Sequence, residues 1–173
     1  MTVLLDEAGI QLALTRMAEQ IARAVPVGLE FGLVGIRRGG DELARRMLPL
    51  LESHGVHEPA YGTLDITMYR DDLAEIGPAA VVRTSEIPFD VDGRYNVLAD
   101  AVIYTGRSIR AALDAIIDLG RPKAIRLAVL VDRGGRELPI QPGFVGVRAP
   151  SDDSHVTVSL KAGAERDRVE VDP

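Results

Sequence analysis

One stretch limits the choice of fold more than any other. Between residues 95 and 131 an apolar segment, an amphipathic helix and a second apolar segment follow one another. The helix, residues 108–119, carries Ile109, Ala112, Leu113, Ile116 and Ile117 on one face, and Gly120 and Pro122 terminate it. Residues 124–131 are apolar except for Arg126, the composition of a strand covered on both faces in a parallel sheet. Strand, helix, strand in that order predicts an α/β fold with a central parallel sheet flanked by helices.

The flanking sequence extends the pattern. Ile10, Leu14, Met17 and Ile21 recur at helical spacing, and Pro26 and Gly28 end that helix. Residues 31–36 read as a short buried strand. Asp41 is expected to cap a second helix bearing Leu43, Met47, Leu50 and Leu51. Alternation through Leu64, Ile66 and Met68 predicts a strand over residues 62–69, followed by a long loop over 70–88, with room for a hairpin. Short β segments are expected near Phe144, at 156–160 and at 169–171, with residues 165–168 as a hairpin turn. Neither an internal repeat nor a linker interrupts 173 residues, so residues 1–173 are expected to form one domain.

Composition narrows function. No apolar run approaches the roughly 18 residues that span a membrane, and no leader is apparent. The chain has no cysteine, which removes disulfides and thiolate chemistry and suits reducing cytosol. A net charge of -6 argues against wholesale nucleic-acid binding and leaves only a local basic face, for instance around Arg16 and Arg23. His54, His57 and His155 are too dispersed for a zinc site.

Ligands of open α/β sheets bind beyond the carboxyl ends of the strands, and three loops there have unusual composition. The first runs through Asp100, Ala101, Val102, Ile103, Tyr104, Thr105, Gly106, Arg107 and Ser108. A strand, a turn and a helix start would aim backbone N–H groups and two hydroxyls at one point, which suits a phosphate. The same residues equally suit a plain helix N-cap. Asp100, a carboxylate, suits sugar hydroxyls rather than phosphate. The second loop, Arg37, Arg38, Gly39 and Gly40, offers positive charge and close backbone approach, though it also reads as a solvated turn. The third, Asp132-Arg-Gly-Gly-Arg-Glu137, has similar chemistry and the same plain alternative.

Taken together these loops resemble the type I phosphoribosyltransferases, and more narrowly the PyrR family of pyrimidine-operon attenuation proteins that also act as uracil phosphoribosyltransferases. The resemblance is carried by Leu64-Asp-Ile-Thr-Met-Tyr-Arg-Asp-Asp-Leu73, Ile87-Pro-Phe-Asp-Val-Asp-Gly93, Tyr104-Thr-Gly-Arg107 and Leu130-Val-Asp-Arg-Gly-Gly-Arg-Glu-Leu-Pro-Ile140. It implies the type I phosphoribosyltransferase fold, with a hood and a flexible loop. It also implies that residues 105–108 hold the 5′-phosphate of phosphoribosyl pyrophosphate, that Asp100 binds a ribose hydroxyl, and that residues 37–40 take the pyrophosphate. A Mg²⁺ ion with no assigned protein ligand follows too; Asp71 and Asp72 could touch it but read more simply as solvated loop carboxylates. Residues 69–73 would lead into a mobile hood, with Arg70 as a lid contact, and Arg133 would lie near uracil. UMP as product and effector, a pyrimidine-operon leader RNA and a homodimer or higher oligomer belong to the same implication.

Two departures from the family pattern stand out. Ala101 occupies the second place of a usual acidic pair, and Arg38-Gly39 replaces a usual Thr-Arg. Loss of one charged hydrogen bond, worth about 1.5–3 kcal/mol, would weaken catalysis. A weakened enzyme acting mainly as a nucleotide-sensing regulator, and an enzyme without RNA binding, are therefore the competing readings.

Overall fold

A computed structural model of the chain describes residues 1–80, 82, 84–161 and 166–172. Its frame is a five-stranded parallel sheet in the order β3-β2-β4-β5-β6. The strands are β2 (Phe31–Ile36), β3 (Ala60–Leu64), β4 (Tyr95–Ile103), β5 (Ala124–Asp132) and β6 (Phe144–Arg148). Alternation within each strand feeds two cores. Leu33, Val97, Ala99, Ala128 and Leu130 face α1 (Glu7–Ala24) and α2 (Gly40–Ser53), whereas Val34, Leu98, Leu127 and Val129 face α4 (Arg107–Leu119). Both faces are thus covered, which is why β2 is buried along its whole length. Among the described residues no helix is long and apolar enough to cross a membrane.

A second, antiparallel sheet has the order β1-β8-β7, built from β1 (Thr2–Leu5), β7 (His155–Ser159) and β8 (Arg168–Asp172). Val169 joins the core beneath α1, and Arg46 of α2 forms an ion pair with Asp167 just ahead of β8. The early and late parts of the chain therefore make this hood-like layer. Residues 69–73, expected to lead into the hood, lead instead into a short helix, α3 (Leu73–Ile76).

Three further expectations change. The strand expected over 62–69 starts at Ala60 and stops at Leu64, because its ladder partner is β2, whose last paired residue is Ile36. Beyond it Asp65 accepts hydrogen bonds from the Thr67 amide (2.8 Å) and hydroxyl (2.6 Å), winding residues 67–69 into a 3₁₀ turn. Met68 is consequently 62% exposed. The cap of α2 is Gly39 rather than Asp41, whose carboxylate instead accepts from the Gly39 amide at 2.9 Å. The loop over 70–88 holds α3 and a 3₁₀ turn in place of a hairpin, and its return makes one antiparallel bridge, Thr63 to Glu86. Val81 and Arg83 of that loop and Glu165 of the expected hairpin turn lie outside the described residues. β1 has no counterpart among the sequence expectations.

Candidate active site

The strand order reverses direction between β2 and β4, so their carboxyl ends open onto a crevice at the topological switch point. Two of the three expected loops leave the sheet there, and the third follows β5 beside them.

Asp100, Ala101, Val102 and Ile103 complete β4; Tyr104, Thr105 and Gly106 turn the chain; Arg107 and Ser108 open α4. Gly106 sits at φ 93°, ψ -5°, the left-handed region that glycine tolerates best. Gly106 has no side chain with which to cap α4; the Arg107 amide donates to the Thr105 hydroxyl at 3.2 Å, and the amides of the next residues face the turn without a side-chain cap. A cavity of about 180 Å³ is lined by Asp100, by Val102 through Gly106, and by Ser108 and Ile109. The turn is held from behind: the Thr105 carbonyl accepts the amides of Glu137 (2.9 Å) and Leu138 (3.1 Å), and the Ile103 carbonyl accepts the Arg133 amide (3.0 Å).

The second loop presses against the same strand. Arg37, Arg38 and Gly39 form the turn and Gly40 is the first residue of α2. A Cβ on Gly40 would collide with the Ala99 carbonyl, and one on Gly39 would lie 3.1 Å from the Ala101 methyl. Glycine at both positions is what lets the loop lie on Asp100 and Ala101. The Arg37–Arg38 peptide is cis. Arg37 donates to the Thr63 hydroxyl at 2.9 Å, and Arg38 is exposed.

Asp100 is buried, and its carboxylate accepts from the Ala101 amide at 2.8 Å. Burial pushes its carboxyl up to about 7; the amide bond opposes the shift and the nearby Asp41 carboxylate adds to it. On the far side, the Arg133 guanidinium stacks on the Tyr104 ring at 3.9 Å. Among the described residues, three buried side-chain N or O atoms lack a hydrogen-bond partner, and two of them are Arg37 Nε and Arg133 Nε. Unpartnered buried donors in two loops at one crevice are what a polar ligand would satisfy.

Arg70 stands apart from this group, paired with Asp72 through two bonds of 2.8 and 2.6 Å. Sequence reasoning missed several groups. Arg136 donates to Asp132, Tyr104, Gly134 and Ile140 and so fixes the third loop. Asp152 reaches the backbone of Gly134 from the β6–β7 connection, close enough that a Cβ there would collide with its carboxylate. The charge of Arg136 marked it as notable, but no local pattern betrays Asp152.

An open β-strand–turn–helix cradle beside a glycine loop at a switch point defines a nucleotide- or sugar-phosphate-handling α/β domain. Residues 2–162 match the phosphoribosyl transferase domain model. A bifunctional protein PyrR from Roseiflexus sp. (strain RS-1) is 51% identical over 158 residues, 91% of this chain and 86% of that protein. A bifunctional protein PyrR from Thermus thermophilus is 48% identical, covering 97% of this chain and 93% of its own. The chain belongs to the PyrR family of phosphoribosyl transferase domain proteins. A solved hypoxanthine phosphoribosyltransferase of Trypanosoma cruzi is similar in fold, with a TM-score of 0.70, 16% identity and coverage of 90% and 85%.

Proposed function

We propose that the chain works as one domain over residues 1–173 with two linked tasks. It is a pyrimidine-responsive regulator of pyrimidine biosynthesis gene transcription, and a uracil phosphoribosyltransferase that converts uracil and phosphoribosyl pyrophosphate to UMP and pyrophosphate. The observation that carries the enzymatic task is the Gly106 cradle. Its open helix N-terminus lies one strand end away from a buried, weakly bonded Asp100 and beneath a loop that only glycine lets approach.

In this reading the amides of residues 105–108 and the hydroxyls of Thr105 and Ser108 hold the 5′-phosphate, over a floor of Ala101, Val102 and Ile103. Asp100 accepts from a ribose hydroxyl. Arg37, Arg38, Gly39 and Gly40 take the pyrophosphate, Arg70 reaches it after leaving Asp72, and Arg133 with Tyr104 borders the uracil. A ring nitrogen of uracil bonds to the anomeric carbon as the bond to the pyrophosphate oxygen breaks. The electron pair leaves with pyrophosphate and the nitrogen's proton passes to solvent. The arginines stabilise the leaving charge, and the packed loops exclude water that would hydrolyse the donor.

The donor set suits Mg²⁺. One buried carboxylate beside a diphosphate site matches an ion held chiefly by substrate oxygens and water, and no direct protein ligand is assigned. When bound, the ion neutralises charge on the leaving pyrophosphate. A uracil-dependent pyrophosphate-release assay with and without Mg²⁺ tests the enzymatic task; absence of UMP under both conditions refutes it.

For regulation, UMP strengthens binding to a leader RNA, and the protein acts in the cytoplasm as a homodimer or larger homo-oligomer. The α1 arginines point outward, although Arg16 also donates to the Gly146 carbonyl at 3.2 Å and Arg23 pairs with Glu19 at 2.6 Å. Filter binding over a salt series tests this: specific affinity should fall by about 0.7 log units per log unit of salt for each single-strand phosphate neutralised. Equal affinity for leader and scrambled RNA would refute it.

A further inference from the structure

Arg107 is split between two places. Its amide belongs to the cradle, 3.2 Å from the Thr105 hydroxyl. Its side chain does not line the cavity and lies outside it, 47% exposed. There Nη1 donates to Asp71 at 2.7 Å and Nε donates to Glu137 at 2.7 Å. A guanidinium presents separate edges to two carboxylates without distortion, which an ammonium group does not.

We propose that Arg107 is a positioning residue whose side chain clasps the two loops bordering the cradle, Asp71 from the β3–β4 crossover and Glu137 from the loop after β5. The inference rests on the reading of the cradle as the donor-phosphate site. The two arms differ in weight. The Glu137 loop is anchored independently, since the Glu137 and Leu138 amides both bond the Thr105 carbonyl. The Asp71 segment has fewer ties. Arg70 and Asp72 bond each other within it, and the Tyr69 hydroxyl bonds Asp118 at 2.9 Å near the far end of α4. Among the described residues, the Asp71–Arg107 pair ties this stretch of the crossover to the cradle end of α4.

Exposed ion pairs add little to global stability. A surface segment, however, opens locally at a cost near zero, so a weak tie decides how often it is closed. The clasp acts on that local equilibrium. Donor binding and water exclusion depend on it, while the fold does not.

Amide hydrogen exchange of residues 67–76 without substrate, in wild type, Asp71→Asn and Asp71→Glu, tests the clasp directly. Asp71→Asn should speed exchange about three- to tenfold in that segment. Asp71→Glu should bring it back towards wild type, and exchange in β4 should not move. The enzymatic readout is the ratio of pyrophosphate released to UMP formed: it should exceed one in Asp71→Asn, with a raised donor KM and a kcat within about twofold. Unchanged exchange in Asp71→Asn, or faster exchange that Asp71→Glu fails to reverse, overturns the clasp. If the wild type forms no UMP, the enzymatic reading falls, and the exchange result still judges the clasp.

Discussion

Two segments leave neighbouring regions of the sheet's carboxyl edge and are built in opposite ways. The β4–α4 turn is three residues long and tied from behind by main-chain hydrogen bonds, and the strand that feeds it has β2's loop packed on it through glycine. The β3–β4 crossover spans some thirty residues; its ends pack into the core on the α4 side through Ile66, Ile87 and Phe89, and the stretch between them meets α4 through polar groups at Tyr69 and Asp71. The turn fixes a shape in advance, as a binding cradle must, and rigid backbone costs nothing further when the ligand arrives. Residues 67–76 of the crossover include no buried side chain, so that stretch can be displaced without emptying a core. One polypeptide edge thus carries a fixed turn and an adjustable cover.

Breaking the rigid side should have the largest effect. Gly40→Ala drives a methyl into the Ala99 carbonyl, with backbone on both sides and nothing flexible to yield. We expect a loss of about 3 kcal/mol, or roughly 6–12 °C in Tm, read from thermal and denaturant melts.

Gly106→Val separates shape from packing. A Cβ there meets only ordinary neighbours, Leu138 and Ile140 at 3.5 Å, but the φ of 93° is hostile to a branched side chain. The folded variant should bind phosphoribosyl pyrophosphate at least about 30-fold more weakly by calorimetry, since the turn must reorganise. Unchanged affinity would mean the phosphate lies elsewhere.

Ala101→Asp asks whether the cradle lost a group it can still use. Ala101 lies under Gly39, whose missing side chain leaves the methyl at position 101 the nearest group to the loop. Steady-state kinetics should show kcat/KM for UMP formation rising by up to about ten- to a hundredfold.

Asp100 gives the pH test. If Asp100 makes the proposed ribose contact, a carboxyl raised from 3.8 to about 7 must ionise to accept fully from the hydroxyl, and kcat/KM for the donor should fall about tenfold per unit below pH 7. Stability runs the other way. Because the native pKa is the higher one, the native state binds more protons between 3.8 and about 7. The contribution is therefore full below 3.8, declines as pH rises through that window and is flat above it. Asp100→Asn should lose both dependences in rate profiles and melts.

The smallest effect belongs to the cover. Asp72→Asn frees Arg70 from an exposed pair and should change the donor KM by about twofold or less, with Tm unmoved. A large change in Tm would show the crossover to be part of the rigid frame.

Sequence alone made the frame legible where one local period decided the structure. β2, α4 and β5 have a single apolar signature, and the cradle is a contiguous strand, turn and helix, so its residues could be listed in order. Failure began where a partner distant in sequence decided. β3 ends at Leu64 because β2 ends at Ile36, and β1 is a strand only because β8 lies beside it. The Asp71–Arg107–Glu137 clasp and the approach of Asp152 to Gly134 join residues that no spacing rule connects. Gly39 displaced Asp41 as the α2 cap for a subtler reason: the loop needed a left-handed residue more than it needed a side-chain acceptor.

The small sheet has a bearing on synthesis. Its middle strand is β8, and β1, which pairs with β8, is made more than 160 residues earlier. All five strands of the parallel sheet are complete once residue 148 has been added. The parallel sheet and its β4–α4 turn can therefore take shape while β1 still carries an unsatisfied edge. Contacts of such long sequence separation form slowly, so that edge is open to pairing with another nascent chain. A lower chain concentration during folding should accordingly raise the share of the protein that reaches its native form.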